Sequence, residues 1–81
     1  MAKTLISERH LIDAINLALS KGWTHVDAHC EVTGLKRVSL PERNWEVTMT
    51  NTGGDFRREE ECQTLKDRVL AEIVQKYDVS W

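Results

Sequence analysis

The chain is expected to fold as a small α+β domain of order α-β-β-α, with an antiparallel hairpin covered on one face by two helices. Three observations lead there. Apolar residues recur at helical spacing in two segments of the 81 residues, two segments between them alternate apolar and polar side chains, and the only proline, Pro41, falls in the short connection joining those two.

Ser7 followed by Glu8 marks a helix start, and Leu11, Ile12, Ile15, Ala18 and Leu19 then form one stripe. Lys21 suits a last helical turn and Gly22 the C′ position, so the first helix is expected from about Glu8 to Lys21. From Thr24 to about Thr33 the chain alternates strictly: Val26, Ala28, Cys30 and Val32 on one side, His25, Asp27, His29 and Glu31 on the other. That spacing predicts a strand with one apolar and one polar face. Gly34 then signals a bulge or turn, with Leu35 to Val38 prolonging the strand toward a Leu40-Pro41-Glu42-Arg43-Asn44 turn.

Asn44 to Thr52 alternates again, placing Trp45, Val47 and Met49 together against Glu46, Thr48 and Thr50. Gly53-Gly54-Asp55 breaks this strand, with Asp55 suited to the N-cap of a second helix. Cys62, Leu65, Val69, Ile73 and Tyr77 define that helix as a long one, from about Phe56 to Lys76. The tails offer an alternative. Tyr77, Val79 and Trp81 alternate with Asp78 and Ser80, and Lys3 to Ile6 is compatible with a strand, so paired tails would make the order βαββαβ, the ferredoxin-like pattern.

Composition narrows the function classes. A chain this short buries at most about two thirds of its unfolded surface, which argues for one domain, a thin core and no deep catalytic cavity. The formal charge of −2 gives no global attraction to phosphate backbones or anionic membranes. Ser7, Glu8, Arg9 and His10 interrupt the first apolar residues, and no stretch is long enough to span a bilayer, so the expected address is the cytoplasm, with no membrane contact. Cys30 and Cys62 lie far apart on apolar faces. They are expected as small buried thiols rather than a disulfide or a metal pair.

The polar row at His25, Asp27, His29 and Glu31 is the main candidate chemistry. Same-face neighbours on a strand stand about 6.5 to 7 Å apart, so one ion cannot collect all four side chains at ligand distances near 2 Å. Two neighbours can chelate, and the candidate metal set is Asp27 and His29 with Glu46 from the other strand; the competing reading is an ordinary solvated sheet face. The same histidines could titrate within a contact surface. Acid-base catalysis by Asp27, His29 and Glu46 lacks an accompanying nucleophile motif, oxyanion loop or cofactor fingerprint, so neither an enzyme nor a bound cofactor is expected.

Lys36, Arg37 and Arg43 flank the hairpin loop and are the candidate nucleic-acid contacts, although Trp45 beside them belongs to the apolar face. Gly53-Gly54-Asp55-Phe56 resembles, in isolation, the glycine-glycine-acid signature of cyclic-dinucleotide synthases. The chain is too short for that domain and has no Glu after Asp55.

Two strands under two helices leave sheet edges open, and neither strand carries an interior proline to block pairing. The expected role is therefore a non-enzymatic interaction module, most simply a two-fold homodimer or a sheet completed by another protein. The contact surface is expected at His25, Asp27, His29 and Glu31, with Trp23 or Trp81 as anchor.

Leu40-Pro41-x-Arg43-Asn44-Trp45-x-Val47, Thr52-Gly53-Gly54-Asp55, Cys62 and the closing Tyr77-Asp78-Val79-Ser80-Trp81 resemble short proteins of proteobacterial genomes and prophages. The resemblance covers about the C-terminal half. It implies a bacterial or phage accessory protein and carries no activity with it.

Overall fold

The computed structural model describes residues 3–24, 29–52 and 56–81, with side chains from residue 58 onward in the last stretch. Its elements are β1 (Thr4–Ile6), α1 (Glu8–Gly22), β2 (Glu31–Arg37), β3 (Trp45–Asn51), α2 (Phe56–Ile73) and β4 (Tyr77–Val79). The α+β layout with a central antiparallel hairpin is as expected. The tails also pair, β1 parallel to β4, so the order is that of the βαββαβ alternative. It is not a ferredoxin-like sheet. The ladders are two separate pairs, β1 with β4 and β2 with β3, instead of one sheet of four.

Helix α1 is the element on which the others converge. The Ser7 hydroxyl accepts the His10 N–H at 3.2 Å, and the stripe Leu11, Ile15 and Leu19 is fully buried. That stripe packs on β2, α2 and β4. Gly22 is the last helical residue, not a left-handed C′, and Trp23 caps the helix in an extended conformation with its N–H on the Leu19 carbonyl. A Cβ at Gly22 would lie 2.8 Å from Leu65 Cδ1 of α2, so the two helices approach closely there.

The hairpin's first strand is shorter than the alternation indicates. Thr24, His29 and Cys30 are outside any strand, and His25 to Ala28 lie outside the described residues. A ladder exists only where a partner runs alongside, and β3 offers partners from Trp45, opposite Arg37, to Asn51, opposite Glu31.

Within the ladder the register shifts twice, between Val32 and Gly34 and between Gly34 and Leu35, leaving Thr33 on β2 and Thr48 on β3 without a partner. Val32 and Leu35 are three apart and would face opposite sides of a regular strand, yet both are buried. The irregularity lets both point inward. A Cβ at Gly34 would approach Thr48 Oγ1 to 2.9 Å, which is why a glycine sits there. On β3 the shift has the reverse effect: Met49, expected beside Trp45 and Val47, is 63% exposed, while Thr50 opposite buried Val32 meets Lys66 of α2 at 3.3 Å.

Cys30 and Cys62 form a disulfide, with Cα atoms 5.5 Å apart, contrary to the free thiols expected. Both are buried, as their apolar faces predict. What the spacing in sequence conceals is that α2, packed along α1, brings Cys62 beside Cys30 just ahead of β2. The bridge closes a sequence separation of 32 and is expected to contribute about 3 to 4 kcal/mol through the unfolded state.

A second stabilising feature is the Asn44 side chain, which donates to the Val79 carbonyl at 2.8 Å and accepts the Val79 N–H at 2.9 Å. Val79 is 1% exposed, so Asn44→Ala strands two buried backbone groups. Urea unfolding of Asn44→Ala should show a loss of about 2 to 4 kcal/mol. A loss below about 0.5 kcal/mol would show that the amide is not the seam between the two ladders.

Candidate interaction surface

The edges of the two ladders show which surface remains available. In β4, the side facing β1 is occupied: the Thr4 N–H donates to the Lys76 carbonyl at 3.0 Å and the Ser80 N–H to the Ile6 carbonyl at 2.8 Å. Its other side is closed by side chains, Asn44 on Val79 and the Trp45 indole N–H on the Tyr77 carbonyl at 3.1 Å. On the outer edge of β2, Asn16 of α1 pairs both backbone groups of Val32, donating at 2.9 Å and accepting at 2.7 Å. An asparagine amide presents one donor and one acceptor, like a peptide group, and so can cap a strand edge as a neighbouring strand would. The remaining edge of β1 has only three residues.

The outer edge of β3 differs. A cleft of about 420 Å³ lies between it and α2, lined on the strand by Trp45, Glu46 and Val47. Consecutive strand side chains alternate between faces, so a cleft touching all three meets the strand along its edge. Leu70, Ala71 and Val74 make the apolar part of the helical wall. The rim carries both signs: Arg43 and Lys66 against Glu46 and Asp67. Thr48 and Met49, further along β3, are exposed.

The described residues among those singled out in the sequence are spread along the hairpin. His25 and Asp27 lie outside the described residues, and His29 is exposed ahead of β2. Glu46 stands opposite Lys36, whereas Glu31 stands opposite Asn51, about 17 Å further along the hairpin. His29, two residues ahead of Glu31, therefore does not lie across from Glu46. Among the described residues, no group of three or more His, Cys, Asp and Glu side chains is placed to hold a metal ion. Glu31 is half-buried and accepts a hydrogen bond from its cross-strand partner Asn51 at 2.9 Å.

Two of the three basic residues face Glu46. Lys36 and Arg43 both approach Glu46, at 3.7 and 3.8 Å, and Arg37 is exposed at the end of β2. The Leu40-Pro41-Glu42-Arg43 segment forms the expected turn, with Leu40 and Arg43 exchanging backbone hydrogen bonds. Lys3 donates to the Glu42 carbonyl and pairs with Asp78 at 3.7 Å, which fastens this turn to the β1–β4 ladder. Trp81 is 45% exposed and its indole N–H donates to the Asn44 carbonyl at 3.1 Å, so it packs on its own chain while leaving a face open.

Asn16 and Asn44 carry no mark of their roles in the sequence pattern. Both sit beside residues of the apolar pattern, where a polar side chain looks solvated; the one available signal is that each is flanked by a buried residue, Ile15 and Trp45. No helix among the described residues is long and apolar enough to cross a membrane. No family model, curated protein or solved structure matches the chain.

Because Lys36 and Glu46 are both well exposed, their ion pair lies in a high-dielectric setting. Lys36→Ala should change the unfolding free energy by no more than about 0.5 to 1 kcal/mol, measured in urea. A larger loss would show that the pair organises the hairpin end.

Proposed function

We propose that the protein is a non-enzymatic interaction module that self-associates along the outer edge of β3, a second copy of the chain completing the sheet. The observation that supports this is the unequal treatment of the strand edges. Asn16 caps β2, Asn44 and Trp45 cap β4, and β1 is too short to template much, while the Trp45–Val47 end of seven-residue β3 borders an open cleft.

The composition of β3 favours a second copy over an unrelated partner. A two-fold axis beside the strand pairs it antiparallel with its twin, which sets the Met49 end of each copy beside the Trp45–Val47 end of the other. The exposed thioether of one copy then faces the other's apolar cleft, and a flexible methionine suits an irregular gap. The mixed rim charges of Arg43, Glu46, Lys66 and Asp67 suit such pairing, since neither sign dominates.

Light scattering across the micromolar range should give twice the chain mass for the native protein. Met49→Lys places a charge at an exposed edge position and should weaken association about tenfold or more, while melting measured at concentrations too low for association is unchanged. A native protein that stays monomeric overturns the reading, as does a Met49→Lys variant that associates as tightly as the parent.

A further inference from the structure

A second groove lies between α1 and the turn that joins α2 to β4. Its volume is about 330 Å³, and its walls include Leu17, Ala18 and Lys21 of α1, Ile73 at the end of α2, and Lys76 and Tyr77 where the chain enters β4. It shares no lining residue with the β3 cleft.

Two observations set this groove apart. The first is its charge. Lys21 and Lys76 both line it and both are exposed, and no Asp or Glu lines it. Lys3, Lys36, Arg43 and Arg58 each approach a carboxylate, whereas neither Lys21 nor Lys76 has an ion-pair partner among the described residues. Lys21 suits the last turn of α1, where the helix dipole favours a cation. That preference holds on any side of the helix, so it explains the charge but not its sharing one recess with a second lysine. The second observation is the apolar wall. Leu17 is 60% exposed beside the fully buried stripe of Leu11, Ile15 and Leu19. One exposed leucine is ordinary on a flat surface, but this one borders a concavity with Ala18 and Ile73. The lysine stems add apolar surface while their ammonium ends reach water. Small-molecule sites combine such a wall with a few polar groups that fix orientation, and the volume falls at the lower end of their range of roughly 300 to 1,000 Å³.

We infer that this groove binds a small amphiphilic anion, a medium-chain carboxylate, whose charged end is held by Lys21 and Lys76 and whose alkyl chain covers Leu17 and Ala18. Charge complementarity identifies the head group. Two cations on one rim repel each other, and a carboxylate within reach of both offsets that repulsion and accepts hydrogen bonds from both ammonium groups. The wall identifies the tail, since an alkyl chain laid against Leu17 removes apolar surface of both partners from water. The same chemistry on a lipid bilayer would need more charge: anionic membranes are recognised by clusters of about four to eight basic residues. This groove offers Lys21 and Lys76 on a chain whose formal charge is −2.

The groove does not depend on the proposed pairing along β3, and its test does not read the oligomeric state. Sodium octanoate, titrated below its micelle-forming concentration and followed by methyl and amide NMR, should give saturable shifts centred on Leu17, Ala18 and Ile73. Octanol keeps the tail and loses the charge, and acetate keeps the charge and loses the tail, so each should bind at least about tenfold more weakly. The Lys21→Gln/Lys76→Gln variant should bind octanoate about tenfold or more weakly, with a ligand-free spectrum that retains the native fold because both positions are exposed. No saturable shift, octanol as tight as octanoate, undiminished affinity in the double variant, or shifts centred on Val47 and Leu70 of the β3 cleft overturns the site. Cosedimentation with phosphatidylglycerol vesicles in the absence of saturable octanoate binding overturns it in favour of a membrane surface.

Discussion

The hold of Asn44 and Trp45 on β4 is the constraint on which the rest of the structure depends. Two-stranded ladders are marginal in water, and here there are two of them with no strand-to-strand hydrogen bonds between. Asn44 supplies the missing pairing with an amide, and Trp45, 1% exposed, adds both its indole N–H and the largest buried side chain of the core. Asp78 accepts the Asn44 N–H at 3.3 Å and Trp81 donates to the Asn44 carbonyl, so this residue is engaged through its backbone as well as its side chain. Without that junction β1 and β4 would be a three-residue pair resting on α1, and α1 itself would lose a neighbour.

Much of the architecture was legible in the chain because it depends on periodicity. The helical stripe of α1 predicted Leu11, Ile15 and Leu19 as core, and Gly34 and Pro41 were recognisable as a strand irregularity and a turn. What escaped were features that periodicity does not encode. Met49 alternates with Val47 and looks equally apolar, yet the register shift at Thr48 turns it out; nothing local in β3 marks that shift, since the glycine that permits it lies on β2. The two capping asparagines were illegible for a related reason: each acts on a residue far along the chain, 16 positions away for Asn16 and 35 for Asn44.

The described end of the row at His25 to Glu31 shows the opposite failure, a conspicuous pattern that outruns the strand, which begins only at Glu31. Alternation is necessary for a half-buried strand but is not sufficient, because a strand is stabilised by its partner, and β3 ends at Asn51. The first half of the row lies outside the described residues, and its described second half divides between an exposed His29 and a Glu31 already bonded to Asn51. Cys30 between them was legible as buried but not as paired. Burial follows from local alternation, whereas a disulfide partner is set by how the helix returns.

The same logic explains why, among the described residues, the Trp45–Val47 edge of β3 borders a cleft. A strand edge can be closed from within only by an element that passes beside it. Helix α1 crosses β2 and can extend Asn16 to it; the strand-to-turn junction at Asn44 lies against β4 and can close that. The element that runs along β3 is α2, and it stands off by the width of the cleft, reaching the strand through Lys66 and Thr50 near its far end. Closing the gap would draw α2 away from α1, against which its stripe of Val69 and Ile73 is buried, or would need larger side chains than Ala71 and Val74 on the wall. The cleft beside β3 is thus a consequence of where α2 must pack.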